Sequence, residues 1–168
     1  MDRVGRYKGT GEEMNRIFML LAISEAGKNL KKMDGGPFGA CIVKGGKVLA
    51  VARNTVLRDD ASCHAEVNAI RIASRKLKTF DLSGCEIYST TEPCPMCFSA
   101  IHWARIGKVI FGTDTKDAKK IGFNELMITD SRLKALGKSK VRIVRGFMRG
   151  ECLELFRRFN GLPDKKLY

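Results

Sequence analysis

The 168-residue chain predicts an α/β fold: a three-layer α/β/α sandwich whose five-stranded mixed sheet is flanked by helices. Three observations predict it. A hairpin pattern opens the strand series, and helix-like and strand-like stretches then alternate. The two stretches richest in metal-ligating residues each open a helix just after a strand-like run. The hairpin puts antiparallel strands in the sheet, while the alternation requires parallel ones, because parallel neighbours need a crossover. Ligand-bearing helix starts beyond strand ends are where open α/β sheets place their sites. With 44% hydrophobic residues, the length fits a single domain spanning 1–168 around one core.

In chain order, residues before Thr10 read as a loose basic leader. Thr10-x-x-Glu13 has the form of a capping box, and Met14, Ile17, Phe18 and Leu21 then make one helical stripe that ends near Leu30. Gly35-Gly36-Pro37 breaks the chain. Residues 40–43 and 48–53 are apolar, β-prone runs joined by Lys44-Gly45-Gly46-Lys47, whose glycines supply the positive φ of a tight hairpin turn. A polar loop over 54–62 leads to a helix opening at His64, with Ala65, Ala69, Ile72, Ala73 and Leu77 as its inner face. Gly84 precedes a short strand, 86–90, which delivers a helix over 94–105. Residues 108–112 make a fourth strand, a polar stretch follows, and 141–145 alternates as a fifth. The closing helix buries Cys152, Leu155, Phe156 and Phe159, and 161–168 is an extended basic tail.

The Lys and Arg total of 31 against 18 Asp and Glu gives +13, a balance that invites a nucleic-acid reading. The basic residues are spread out, however: Lys28, Lys31 and Lys32; Lys116, Lys119 and Lys120; Arg157, Arg158, Lys165 and Lys166. No basic block interleaved with aromatics, of the kind that stacks bases, is present. The charge therefore reads first as solvated surface and second as an RNA-facing patch. The longest apolar run, 17–23, is too short to cross a bilayer, so no membrane partner is expected. The start of the chain lacks a signal-peptide pattern, and thiolate use of cysteine implies a reducing compartment, so a cytoplasmic location is expected. Cys41, Cys85 and Cys152 read as packing residues.

The chemistry concentrates in Glu92-Pro93-Cys94-Pro95-Met96-Cys97. Cys97 follows Cys94 by one helical turn and faces the same way. Pro95 is tolerated in a first turn, whose free N–H groups also favour thiolate over thiol. Two soft thiolates select zinc. One of only two histidines, His64, stands in His64-Ala65-Glu66. His-x-Glu followed by Pro-Cys-x-x-Cys is the signature of zinc-dependent deaminases. His64, Cys94 and Cys97 as ligands leave a fourth position for water, with Glu66 placed to take its proton and pass it to a departing amine. A structural zinc with Cys63 as fourth ligand is the bland alternative. Adjacent side chains at a helix start point about 100° apart, which makes that awkward, and it gives Glu66 no role. Cys63 therefore reads as a small buried thiol, and His102 as a packing or surface residue.

On these residues the chain resembles the cytidine-deaminase-like superfamily, and bacterial-type guanine deaminase within it. Beyond the zinc motifs, the resemblance rests on 35–40 (Gly-Gly-Pro-Phe-Gly-Ala), Asn54, Trp103-Ala104-Arg105, Gly122-Phe123-Asn124-Glu125 and the terminal Lys165-Lys166-Leu167-Tyr168. It implies a purine-base deaminase with one zinc per chain, acting on guanine or guanosine. Phe38 would line the base pocket, Asn54 would bond a ring nitrogen or carbonyl, and the Ala65 N–H would meet the substrate carbonyl. Glu125 stands where the family usually has aspartate, and its extra methylene moves the carboxylate by about 1.5 Å. The tail 161–168 would act as an active-site lid with Tyr168 entering the pocket, often that of the partner in a homodimer, and Lys165 and Lys166 would anchor it on acidic surface. The alternative inside the superfamily is a tRNA adenosine deaminase, to which 105–112 and Asp114-x-Lys116 are similar. The alternative from another class is a zinc-stabilised RNA-binding module without turnover, against which Glu66 argues.

Overall fold

The computed structural model describes Tyr7 and residues 10–168. The basic leader expected before Thr10 therefore falls, apart from Tyr7, outside the described residues. Thr10 caps α1 (Gly11–Gly27) through the expected reciprocal capping box with Glu13. A separate short turn, α2 (Asn29–Lys32), replaces the predicted end of that helix, and Met33 closes it in the left-handed region. β1 (Gly39–Lys44) and β2 (Lys47–Arg53) form the predicted hairpin. Gly45 and Gly46 at its tip have φ of 53° and 76°, which a two-residue turn matching strand twist requires.

α3 (Ala65–Leu77) leads to β3 (Cys85–Thr91), then α4 (Pro95–Trp103) to β4 (Lys108–Thr113). Two helices follow that the polar stretch concealed, α5 (Thr115–Lys120) and α6 (Asp130–Leu136), and then β5 (Arg142–Val144) and α7 (Arg149–Asn160). The start of α5 carries a capping box built from Asp114 and Asp117, a pair of acids in place of the usual hydroxyl and glutamate. The predicted 94–105 helix stops at Trp103 because Arg105 adopts φ 60°.

The sheet order is β2-β1-β3-β4-β5, antiparallel across β1 and parallel from β3 to β5. Successive residues of β1 point to opposite faces. Cys41 and Val43 join Phe18, Met19, Ala22, Tyr88 and Cys152 in the core under α1 and α7. Ala40 and Ile42 join Ala65, Ala69, Ala73, Phe98 and Ile101 under α3 and α4. The three-layer sandwich thus follows from a sheet whose middle strands are apolar on both faces. On α3, Ile72 and Leu77 are exposed, contrary to the predicted inner face. The small alanines alone meet the sheet, while Glu66 takes a buried place in the first turn. Cys41, Cys85 and Cys152 are buried and free, as expected of packing residues. No helix among the described residues is long and apolar enough to cross a membrane.

Candidate active site

The register of the sheet brings the two ligand segments together. Gly39 pairs with Arg53 and Ala40 with Ser89, so β2 and β3 end at the same edge. Each then turns into a helix. His64 is the N-cap of α3 (φ −66°, ψ 155°) and Cys94 the N-cap of α4 (φ −66°, ψ 166°), and neither side chain caps its own helix. Pro95 occupies the first turn of α4, and Cys97 lies one turn in, fully buried. The donor atoms of His64, Cys94 and Cys97 lie within 4.8 Å of one another, with His64 Nδ1 3.6 Å from Cys94 Sγ. Tetrahedral zinc, with bonds of about 2.0 Å to nitrogen and 2.3 Å to sulfur, holds such atoms about 3.5 Å apart. Two sulfurs and an imidazole at this spacing fit zinc. Cys63 stays outside the cluster: its thiol donates to Asp60 Oδ2 at 3.4 Å and accepts from Arg71 Nη1 at 3.2 Å.

The charges are arranged for a bound cation. The hydrogen bond from Cys97, helped by that of His64, holds the Cys94 thiol down at about 4 despite its burial. The hydrogen bond to Cys94, then burial, pushes the Cys97 thiol well up. Burial pulls the His64 imidazole down, but the hydrogen bond and charge of Cys94 more than offset it and the net shift is upward. Glu66 is only 6% exposed, and burial pushes its carboxyl up against the opposing charge of His64. Its oxygens accept from Ser89 Oγ at 2.9 Å and from Cys97 Sγ at 3.5 Å.

His64, Glu66 and Cys94 face a cavity of about 390 Å³, as do Phe38, Glu125 and Tyr168. Phe38 packs edge-on against Phe123, with centroids 4.9 Å apart. Asn54 and Ala65 are buried and lie outside the lining of this cavity. Asn54 Oδ1 accepts from the Val56 N–H at 3.0 Å, while its Nδ2 has no acceptor within hydrogen-bond distance among the described residues. A side chain at Gly35 would fall 2.0 Å from Asn54 Oδ1, so the 35–36 segment needs glycine to let the backbone approach. Burial, then the charge of Cys94, pushes the Glu125 carboxyl up to about 7, and it has no side-chain partner among the described residues.

The tail reaches the cavity of its own chain, with Tyr168 among the lining residues. The Gly36 N–H donates to the Tyr168 hydroxyl at 3.0 Å, the Tyr168 carbonyl accepts from the Asn124 N–H at 3.1 Å, and the ring meets Phe123 edge-on at 5.4 Å. Leu167 lies against Gly122, where a Cβ would come within 2.6 Å of it. Lys165 does not reach acidic surface as expected: its Nζ donates to the Asn160 carbonyl at 2.9 Å, an orphan acceptor at the end of α7. Lys166 is exposed.

Sequence reasoning missed Ser89, Glu92 and Asp130. Ser89 is a hydroxyl on a strand buried on both faces, which is itself a signal. Glu92 accepts from the Asp130 N–H at 3.2 Å and from the Thr115 N–H and hydroxyl at 3.5 and 3.4 Å, tying the starts of α5 and α6 to the cavity wall. Asp130 is fully buried with both carboxyl oxygens unpartnered, and burial, then the charge of Glu92, pushes it up to about 9. His102 is at the surface and pairs with Ser139 Oγ at 3.0 Å.

Residues 12–113 match the family model for the cytidine and deoxycytidylate deaminase zinc-binding region. Guanine deaminase of Bacillus subtilis (strain 168) is 41% identical over 115 residues, covering 68% of this chain and 74% of its own. A tRNA-specific adenosine deaminase of Buchnera aphidicola is 35% identical over 124 residues, covering 73% of this chain and 79% of its own. Among solved structures, the guanine deaminase from Nitrosomonas europaea superposes with a TM-score of 0.78 at 27% identity, covering 94% of this chain and 88% of that one.

Proposed function

We propose that this chain, which belongs to the cytidine and deoxycytidylate deaminase zinc-binding family, removes the exocyclic amine of a purine base, converting guanine to xanthine and ammonia. Deamination with zinc as cofactor is the chemistry of the family; the purine substrate and the residue roles are the proposal. The observation that carries it is the tail: Tyr168 covers the cavity and is fastened to Gly36 and Asn124. A free bicyclic base fits under such a cover. A nucleotide within RNA would have to enter with its ribose and both flanking phosphates, and the cover would have to leave.

His64, Cys94 and Cys97 would hold the zinc. Bound there, it supplies the Lewis acidity that lowers a water's pKa to about 7. Glu66 would take a proton from the attacking water as its oxygen bonds the amine-bearing carbon, and would give it to the leaving nitrogen as the C–N bond breaks. Ser89 holds the Glu66 carboxylate in line through Oε1, while Oε2, which accepts the long contact from Cys97, is the oxygen that would carry the proton once Cys97 is a thiolate. Glu125 accepts ring N–H groups, Asn54 Nδ2 donates to the ring, and Phe38 and Tyr168 sandwich and seal it from bulk water, strengthening these bonds. The Ala65 N–H is assigned to the substrate carbonyl. A homodimer remains part of the proposal, although Tyr168 reaches Gly36 of its own chain and the cover needs no partner.

A second reading, adenosine of a tRNA anticodon loop, is favoured by the +13 charge and by the tRNA-specific relatives. Ammonia release from guanine, guanosine, cytosine, adenine and an anticodon stem-loop tests both. Guanine is expected to turn over fastest. Fast deamination of the stem-loop with none of free guanine replaces the first reading with the second.

A further inference from the structure

We propose that a second cleft, between β2, α3 and the outer side of the 54–64 loop, is a binding site for a phosphate group. The cleft encloses about 340 Å³ and is lined by four arginines, Arg53, Arg58, Arg71 and Arg75, against two acids, Glu25 and Asp59. The acids are already committed. Glu25 pairs with Arg53 at 2.9 Å and with Lys28, and Asp59 pairs with Arg58 at 2.8 Å. Arg53 and Arg58 also share Asp34, behind the cleft. Asp60, at the loop's edge, is occupied by the Ser62 N–H and hydroxyl and by the Cys63 thiol. The remaining cations, Arg71 and Arg75, meet no carboxylate within ion-pair distance among the described residues.

Their geometry is that of a built site. Arg71 and Arg75 stand four residues apart on α3, hence on one face, where like charges repel and a bound anion relieves them. Arg71 is held in place by neutral partners: Ser62 Oγ at 2.9 Å, Asn68 Oδ1 at 3.3 Å and Cys63 Sγ at 3.2 Å. Three of its five N–H donors are used, which leaves two free to point at a ligand. The Arg75 side chain donates no hydrogen bond among the described residues, which leaves its fork available on the cleft. A tetrahedral oxyanion of charge near −2 can take donors from both guanidinium groups at once, which is the arrangement guanidinium favours.

The place of the cleft gives the site a use. The loop that carries Arg58, Asp59 and Cys63 on this side presents Val56 and Ala61 to the main cavity on the other. The Thr55 N–H closes it on the Cys63 carbonyl at 2.9 Å, one residue before His64. A phosphate held by Arg71 and Arg75 would stiffen that wall. The group could belong to a free nucleoside monophosphate or to an RNA backbone, and the shared chemistry is the phosphate.

Titration calorimetry on the zinc-loaded full chain at low salt tests this with three probes: inorganic phosphate, guanosine monophosphate and an anticodon stem-loop. Arg75→Gln removes a cation whose side chain makes no bond among the described residues. Arg71→Lys keeps the charge but loses the fork. Arg157→Gln, exposed on α7, controls for lost charge elsewhere. At least one probe is expected to bind, weakened roughly tenfold by Arg75→Gln and by Arg71→Lys but not by Arg157→Gln. Dependence confined to the two small probes identifies a free phosphate ester, and dependence confined to the stem-loop identifies RNA backbone. No binding of any probe, or equal losses in Arg75→Gln and Arg157→Gln, overturns the proposal. Neither result bears on guanine turnover, so it stands or falls apart from the base-deaminase reading.

Discussion

Around the candidate metal cluster, polar groups are paired with one another: Cys94 with His64, and Glu66 with Ser89 and Cys97. On the cavity side the pattern reverses: among the described residues the Glu125 carboxyl has no side-chain partner and buried Asn54 Nδ2 has no acceptor. A buried polar atom without a partner costs about 1–3 kcal/mol. The difference teaches that the candidate metal cluster is completed by its own neighbours, whereas Glu125 at the cavity keeps bonding capacity that a ligand could use.

The sharpest way to break the comparison is at Glu66. Glu66→Ala should retain zinc and lose about 10²–10⁴-fold in turnover, since proton transfer is removed while the ligands remain. Cys94→Ala should lose zinc and activity together. Metal analysis of both purified variants separates the roles, and zinc loss in Glu66→Ala would make Glu66 part of the metal site instead.

On the recognition side the effects should be smaller. Glu125→Gln should lower kcat/KM for guanine roughly ten- to a hundredfold, the worth of carboxylate-to-N–H bonds, and more than Asn124→Ala does. With its carboxyl raised to about 7, Glu125 is the acceptor form above that pH and protonated below it. KM for guanine should therefore rise about tenfold per unit as pH falls below 7, and the profile should flatten in Glu125→Gln.

Asp130 gives the smallest effect, one of stability. Its folded value is raised from 3.8 to about 9, so its contribution is full below about pH 4 and is lost as pH rises through 9. Asp130→Asn should gain on the parent between pH 6 and 9, by about 1–3 kcal/mol at the upper end, in denaturant melts. An equal pH dependence in parent and variant would mean that the carboxyl is already ionised or paired.

The same division explains what could be read in advance. Thr10 with Glu13, Gly45-Gly46 and Pro95 act through neighbours within four residues, so the capping box, the hairpin and the start of α4 were legible. That His64 and Cys94 come together was legible because each sits at a helix start with a fixed motif. α5 and α6 were not, because they are short, their exposed faces are polar, the α5 box uses two aspartates, and both starts are also tied to Glu92, more than twenty residues away. Ser89 and Asp130 acquire meaning only through β3 meeting α3 and α6 meeting the strand ends, contacts that no local pattern encodes. Ile72 and Leu77 read as inner-face residues from helical period alone, but the alanine face of α3 already fills the space over the sheet.

The central claim is that the carboxy-terminal tyrosine closes a cavity for a free base, and removing Leu167 and Tyr168 tests it most directly. Kinetics on guanine, zinc content and melting temperature would be compared with those of the full chain. The seal should be lost without disturbing the ligands, so zinc and melting temperature stay nearly unchanged while turnover falls at least about tenfold, the scale of one lost sealing contact and its hydrogen bond. Unchanged turnover of guanine in the shortened chain would contradict the claim.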